Sequence, residues 1–370
     1  MWDAAPASPS AQGLAPLKVG KLSADGRRGV AYSEHSPPRL RDMFSGTYAD
    51  SCVDGLDSDQ LLDRETQVAV GGSGRVLFVD KAGKACLSDG AGRHEFAVAP
   101  AITSVALADA GTALTAGFGD GTVLTWRDVD AAPRKWELGA EVAALAVTRA
   151  GAGVVAHTRT GKVFALTDTA DAPLEIAAVD PGPRAHFYRP SQTFMHPKAA
   201  VAVVPLPGQD AIAVHDFATG ATARHALTLP AVPSAAYSPS GATLAVAVAG
   251  RRVALLRDGE PGRELALPDE ARGLAFVGED ELAVLGATGA LLRVDTRIGE
   301  AAVVCRAWTP PLDGFDAQTR AVLAADAGGT LLAFQEPNFT VTVQPAESVP
   351  REAAALTTWL QARARQLGEL

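Results

Sequence analysis

The chain has 370 residues, of which 47% are hydrophobic and 20% are charged, and its formal net charge is −9. This composition is typical of a folded protein with a sizeable core and argues against a disordered chain. The negative charge and the lack of any long run of Lys or Arg argue against a nucleic-acid binder, because phosphate neutralisation supplies most of the affinity of such proteins.

Residues 1–15 are predicted to form a disordered tail. Met1–Pro6 lacks a positively charged segment followed by an apolar one, so we do not expect a signal peptide here. No 18 consecutive residues are all apolar, so no membrane span is predicted. Three cysteines without a CxxC pair argue against a disulfide framework and a Cys-rich metal site. We expect a cytoplasmic protein in which Cys86 and Cys305 are small core residues.

Two short strand-like segments, Leu17–Val19 and Val30–Tyr32, precede a segment rich in Asp and Ser at residues 34–65. We expect this segment to be an inserted, solvated acidic loop, with a partner-docking loop as the alternative. Asp50–Leu61 partly matches a calcium-binding EF-hand loop. It is rejected because Leu61 stands where that loop requires a bidentate Glu.

Short apolar runs then recur along the chain, each directly after a glycine or a polar turn. Their first residues are separated by 38, 40, 48, 42, 38 and 40 residues. The seven runs are Lys84–Ser88, Thr122–Trp126, Lys162–Leu166, Asp210–Val214, Arg252–Leu256, Ala290–Val294 and Thr330–Phe334. A repeat of this length is typical of propeller proteins.

Each run has companion segments at similar distances. An apolar run such as Gly153–Ala156 precedes it, a segment with a tight turn such as Ala235–Gly241 lies earlier, and a more polar segment such as Arg263–Leu267 follows. Four short strands per repeat describe one β-propeller blade, and such a sheet buries both faces only by packing on its neighbours in a closed ring. The sequence predicts an all-β, seven-bladed β-propeller over residues 16–347, or eight blades if residues 16–33 begin another.

Three segments resemble known propeller families. Asp120–Trp126 resembles the third strand of a WD40 repeat, and Ser238–Gly241 resembles the turn after the inner strand in that family. Asp216–Gly220 is similar to a turn of the related YVTN and quinoprotein-like propellers. The resemblance covers residues 66–345 and implies a degenerate WD40-like propeller. No repeat contains a Gly-His dipeptide, so the hydrogen-bond network of strict WD repeats is not assigned.

The segment Pro183–Pro197 lengthens one repeat to 48 residues and concentrates aromatic, His and Arg side chains. Aromatic and Arg residues are over-represented at binding hot spots. The alternative is that the aromatic side chains fill an irregular inner strand. The two histidines are ten residues apart and lack a third ligand, so no metal site is predicted. We predict a partner contact near the channel mouth through His186, Phe187, Tyr188, Arg189 and His196.

Residues 348–370 predict an amphipathic C-terminal helix. Ser348 supplies a capping hydroxyl, Pro350 suits the first turn, and apolar residues recur at helical spacing further on. A helix has no place inside a closed ring. It either docks on the outside of the propeller or presents Trp359 and Leu360 to a partner.

The sequence contains no GxSxG, GxxxxGK[ST] or HExxH motif. Propeller lactonases hold a cation with Glu, Asn and Asp side chains, whereas this chain has a single Asn, Asn338. We therefore expect no cofactor and no small-molecule substrate, and predict a non-enzymatic scaffold, adaptor or complex subunit with protein partners. The alternatives are a hydrolase with a channel site and a quinoprotein-like envelope scaffold, which Asp216–Gly220 and Asp295–Gly299 suggest.

Overall fold

The computed structural model describes residues 18–23, 27–33, 36–45, 47–54, 56, 66–89, 92–99, 101–110, 112–179, 193–230, 233–257, 259–299, 301–306, 321–325, 330–335 and 340–345. These residues form 31 strands in eight antiparallel sheets, seven of four strands and one of three. In every sheet the strands are hydrogen-bonded in chain order.

The first four sheets run from residue 18 to residue 178. Sheet 1 contains β1 (Lys18–Leu22), β2 (Arg28–Ser33), β3 (Ser36–Asp42) and β4 (Tyr48–Ala49). Sheet 2 contains β5 (Gln67–Val70), β6 (Val76–Val79), β7 (Lys84–Asp89) and β8 (Gly92–Ala97). Sheet 3 contains β9 (Ile102–Leu107), β10 (Leu114–Phe118), β11 (Thr122–Trp126) and β12 (Arg134–Glu137). Sheet 4 contains β13 (Val142–Val147), β14 (Gly153–Thr158), β15 (Lys162–Thr167) and β16 (Leu174–Ala178).

The other four sheets run from residue 194 to residue 345. Sheet 5 contains β17 (Phe194–Met195), β18 (Val201–Leu206), β19 (Ala211–Asp216) and β20 (Thr222–Ala226). Sheet 6 contains β21 (Ala235–Tyr237), β22 (Thr243–Val248), β23 (Arg252–Arg257) and β24 (Glu260–Ala266). Sheet 7 contains β25 (Ala271–Phe276), β26 (Glu281–Gly286), β27 (Ala290–Asp295) and β28 (Ala301–Arg306). Sheet 8 contains β29 (Ala321–Ala325), β30 (Thr330–Gln335) and β31 (Thr340–Pro345).

The strand pattern confirms the predicted all-β repeat. Six of the seven apolar runs form the third strand of their sheets, and the seventh forms β30. The strand-like segments near residues 17–19 and 30–32 belong to a complete first sheet, which raises the number of sheets to eight. The predicted tail at 1–15 and helix at 348–370 lie outside the described residues.

The core consists of layers between consecutive sheets. Strand β22 shows how one strand serves two layers: Ala245 and Ala247 pack towards sheet 7, whereas Leu244 and Val246 pack towards sheet 5. Side chains alternate between the faces of a strand, so a strand that is apolar at every position buries both faces. Seven such clusters fill the seven junctions from sheet 1 to sheet 8. Strand β1 lies beside β31, which brings the first sheet to the last.

The segment expected to be an inserted acidic loop instead supplies the outer half of sheet 1. Strands β3 and β4 lie within residues 34–65, and Leu40 packs in the cluster between sheets 1 and 2. Ser51 and Val53 are 0% exposed. The acidic composition misled the prediction because the described Asp50 and Asp54 lie outside the strands, while apolar residues such as Leu40 and Val53 are buried.

Two cysteines are also used differently from the expectation. Cys52, in the turn after β4, forms a disulfide with Cys86 on β7, with a Cα–Cα distance of 5.8 Å. The backbone N–H of Cys52 donates a hydrogen bond to the Ser88 hydroxyl at 3.1 Å. The disulfide therefore joins the outer part of sheet 1 to sheet 2. The spacing of 34 residues in sequence gave no sign of this pairing.

Candidate partner-binding site

Of the seven residues predicted to contact a partner, His196 alone lies within the described residues. The other six, His186, Phe187, Tyr188, Arg189, Trp359 and Leu360, lie outside them, so their role stays a prediction. His196 follows β17 and is half-buried. Its Nδ1 accepts hydrogen bonds from the backbone N–H groups of Lys198 at 3.0 Å and Ala199 at 2.7 Å.

The His196 ring also joins two sheets. Its centroid lies 4.8 Å from that of the Tyr237 ring on β21, and its side chain hydrogen-bonds the backbone of Gly241. Burial lowers the pKa of His196, and the charge of Lys198 lowers it further, against the Gly241 hydrogen bond that raises it. His196 therefore supports the junction of sheets 5 and 6 as a neutral imidazole.

The ring has two faces, which follow from the antiparallel order of the strands. We call face A the end that carries the turns joining the first and second strands of sheets 2 to 7: 71–75, 108–113, 148–152, 196–200, 238–242 and 277–280. We call face B the opposite end, which carries the turns joining the second and third strands: 80–83, 119–121, 159–161, 207–210, 249–251 and 287–289.

Hydrogen bonds join successive turns around face A. The bonds are Gly72 N–H to Asp109 Oδ1 (2.9 Å), Arg75 Nη2 to Thr112 O (2.9 Å), Ala110 N–H to Arg149 O (2.7 Å), Arg149 Nη1 to Pro197 O (3.1 Å) and Ser240 N–H to Glu279 Oε1 (2.8 Å). The contact of His196 with Gly241 bridges sheets 5 and 6. Face A is therefore linked without interruption from sheet 2 to sheet 7.

The described turns of face B are held by hydrogen bonds within sheets and also by bonds between sheets. Gln209 Nε2 donates to the Ala178 carbonyl of sheet 4, and Ala249 N–H donates to the Thr228 carbonyl, which follows the outer strand of sheet 5, at 2.8 Å. In five sheets the first residue after the outer strand donates its N–H to the carbonyl of the residue just before the third strand: Val98 to Gly83, Leu138 to Gly121, Val179 to Gly161, Leu227 to Asp210 and Leu267 to Arg251. All five acceptor residues have positive φ. Within the described residues, face B thus has locally fixed turns with bonds between sheets 4 and 5 and between sheets 5 and 6, whereas the contacts on face A extend from sheet 2 to sheet 7.

A crevice lies on face A between sheets 3 and 4. Trp136 is 4% exposed, and both its indole N–H and the Thr125 hydroxyl lack a hydrogen-bond partner among the described residues. The cavity volume is about 20 Å³, which suits one water molecule, whereas small-molecule sites have a few hundred Å³. The crevice therefore suits a bound water and does not suit a metabolite.

Charged side chains close the mouth of this crevice. The Arg134 guanidinium lies 4.2 Å from the Trp136 ring centre and donates hydrogen bonds to the carbonyl oxygens of Asp168 and Ala170 in sheet 4. Arg127 forms an ion pair with the Asp168 carboxylate at 2.5 Å. These contacts hold the two sheets together, so their role is structural.

The outer surface of sheet 1 carries a cluster that the sequence analysis missed. We call Arg39, Arg41 and Tyr48 the rim patch. The guanidinium carbons of Arg39 and Arg41 lie 5.0 and 5.6 Å from the Tyr48 ring centre, and Tyr48 is 47% exposed. The signal in the sequence was the alternation of Arg39, Leu40 and Arg41, which places both arginines on one face of a strand. The neighbouring Asp and Ser residues outweighed this signal, because they predicted a solvated acidic loop.

No three His, Cys, Asp or Glu side chains in the described part of the chain are grouped so that they could hold a metal ion. In that same part, no helix has the length and hydrophobicity needed to cross a bilayer.

Comparison with known proteins reveals likeness in fold alone. No protein-family model matches the chain, and no curated protein matches it. The structure resembles the Cps50 (Swd1) β-propeller domain of Myceliophteria thermophila at 11% identity and a TM-score of 0.48, covering 76% of this chain and 96% of that one. It also resembles a chain of the mitotic checkpoint complex at 12% identity and a TM-score of 0.50, covering 76% and 87%.

A third similar structure is the computationally designed Ika8 protein. It is 17% identical, with a TM-score of 0.55, and the match covers 90% of this chain and 97% of the designed one. These identities are too low to transfer a function. The eight antiparallel sheets in chain order, together with the likeness to the mitotic checkpoint complex chain and to Ika8, show that the chain has the fold of a β-propeller.

Proposed function

We propose that this propeller is a non-enzymatic scaffold or subunit of a multiprotein complex and that face A is a surface on which a protein partner docks. The observation that carries the proposal is the run of hydrogen bonds from sheet 2 to sheet 7. A surface that is already fixed loses little conformational freedom on binding, so more of its contact energy appears as affinity.

The comparisons support this proposal at the level of the fold. One similar chain is part of the mitotic checkpoint complex, a multiprotein assembly. The enzyme alternative requires acidic or His side chains that converge at one end of the channel.

The disulfide favours the envelope-scaffold alternative as a second candidate. Disulfides persist in oxidising compartments and are rare in the cytosol of mesophiles. The Cys52–Cys86 bond therefore supports a location outside the reducing cytoplasm, in contrast to the cytoplasmic location expected from sequence. Trapping free thiols in intact native cells tests this point: alkylation of Cys305 alone supports the envelope, and alkylation of all three cysteines supports the cytoplasm.

Affinity purification from the native cell, with quantitative mass spectrometry, tests the scaffold proposal. We expect a partner at fixed stoichiometry, and hydrogen exchange should show protection of turns 71–75, 108–113 and 148–152 in the complex. Asp109→Ala should weaken the complex, because Asp109 holds Gly72 on face A. Asp80→Ala is the matched control, since it removes a similar turn-capping carboxylate from face B. The absence of a stoichiometric partner, or equal effects of both variants, would contradict the proposal.

A further inference from the structure

The rim patch combines two cations with one aromatic ring. Arg39 and Arg41 lie two positions apart on β3, and Tyr48 is the cross-strand partner of Arg41 on β4. The three side chains therefore share one face of sheet 1, while Leu40 points to the other face and is 1% exposed. Their arrangement is fixed by the buried side of the same strand.

The arginines of this patch differ from their neighbours in their pairing. Arg27 and Arg28 are within 3.5 Å of the Asp42 carboxylate, and Arg93 is 3.0 Å from that of Asp54. Among the described residues, neither Arg39 nor Arg41 has a carboxylate partner, and the buried Nε of Arg41 has no hydrogen-bond partner. In a chain of net charge −9, two guanidinium groups that no described carboxylate neutralises form a candidate site for an external anion.

A ligand is not expected to bind this surface by adding a strand to the edge of sheet 1. Strand β4 pairs with Leu40 and Arg41, and no described strand pairs with the outer edge of the first part of β3. Two of the residues there, Pro37 and Pro38, have no N–H to donate, so this edge is a poor template for an added strand. A ligand of the rim patch is therefore recognised through side chains.

We propose that the rim patch binds an acidic segment of a partner protein in which two carboxylates alternate with one other residue. The two arginines are separated by about 7 Å along the strand, and carboxylates at positions i and i+2 of an extended peptide have the same spacing. Each carboxylate meets one guanidinium in a charge-assisted hydrogen bond, while the intervening side chain points away from the patch. This inference rests on the proposed role as a protein scaffold and names the chemistry of one partner.

The test uses fluorescence anisotropy with the purified full chain and three labelled peptides. The first has Glu residues at i and i+2 in a Ser/Ala background, the second has them adjacent, and the third has Gln at i and i+2. We expect the first to bind more tightly than the second, which has equal charge, and the third to show no binding. Added salt should weaken the binding of the first peptide.

Variants assign the binding to the patch. Arg39→Gln with Arg41→Gln should weaken binding of the alternating peptide about tenfold or more, since charged hydrogen bonds are worth at least that factor. Tyr48→Ala should weaken it less. Arg252→Gln is the control, because Arg252 already pairs with Glu264 at 2.6 Å in sheet 6, and it should leave binding unchanged. Equal thermal midpoints show that the variants are folded.

Three outcomes would overturn the inference. The first is equal binding of the alternating and adjacent peptides. The second is tighter binding of a single-stranded oligonucleotide of the same charge at the same residues. The third is peptide binding that appears only after Asp57, Asp59 and Asp63 are replaced by Asn, which would mean that the chain's own acidic residues occupy the patch. Capture of a stoichiometric partner without peptide binding would reject this inference and leave the scaffold role intact. Peptide binding without any stoichiometric partner would reject the scaffold role and leave peptide recognition by the rim patch intact.

Discussion

A Cβ atom added to Gly241 would lie 2.1 Å from the Nε2 of His196. The turn of sheet 6 and the imidazole of sheet 5 therefore meet where only a hydrogen fits. Gly241 also has a φ of 87°, a conformation that L-residues rarely adopt. Both constraints act at one junction of face A.

Gly241→Ala is expected to destabilise the fold by more than about 2 kcal/mol, because it adds a clash with His196 to the cost of positive φ. Gly259→Ala is the matched control: Gly259 has a φ of 82°, and an added Cβ there would meet nothing within 4 Å. Urea unfolding of both variants separates the cost of the clash with His196 from the cost of positive φ. Equal losses would show that His196 does not limit the space at Gly241.

Stability should fall as the solution is acidified below neutral pH, and His196 should contribute to the loss. Burial lowers the pKa of His196 below the ordinary value of 6.5, so the unfolded chain takes up its proton first. The contribution is complete above about pH 6.5 and is lost as the pH falls through the folded-state pKa. Burial lowers the pKa of His215 in the same direction, against the charge of Asp216.

His196→Asn tests this assignment, since its side-chain oxygen can replace Nδ1 as an acceptor but does not titrate. Denaturant unfolding at several pH values between about 5 and 8 should show a shallower pH dependence for this variant than for the natural chain. His94→Asn, at an exposed position on β8, is the control and should retain the full dependence. An unchanged slope for His196→Asn would contradict the prediction.

Arg251→Gly is expected to stabilise the protein by up to about 1 kcal/mol. Arg251 has a φ of 61° in a turn where Gly121 and Gly161 occupy the same place in other sheets. Glycine removes the cost of positive φ, although its greater freedom in the unfolded chain offsets part of the gain. Arg251→Ala keeps the Cβ atom and should give no gain in thermal midpoint. A gain in both variants would assign the effect to the Arg side chain.

Replacing both Cys52 and Cys86 with Ser is expected to lower the free energy of unfolding by about 4 kcal/mol, the chain-entropy value for a loop of 34 residues. Denaturant unfolding with and without a reductant checks the origin of the loss. The reductant should destabilise the natural chain and leave the double variant unchanged. Equal stability of the oxidised natural chain and the double variant would contradict the prediction.

The repeat itself was readable from the sequence because it has a local physical cause. A strand that is buried on both faces must be apolar at successive positions, and a turn with positive φ favours glycine. The strand segment Val163–Leu166 after Gly161 is therefore recognisable without knowledge of the sheets that pack beside it. The same reasoning left the first sheet undecided. Strand β3 carries Arg and Pro at its exposed positions and buries only alternate residues.

The candidate sites depend on distances between side chains, and the spacing of residues in the sequence does not reveal these distances. His196 was selected for binding because it lies in an aromatic segment, yet Tyr237 and Gly241, 41 and 45 residues further on, give it a structural place. The rim patch and the Cys52–Cys86 bond likewise arise where β4 and its following turn pack beside other strands. Local sequence thus determined the alternation and turns of each sheet, because these follow from single residues and their immediate neighbours. Tertiary structure alone decided which side chains meet between sheets, since that depends on how the ring brings distant segments together.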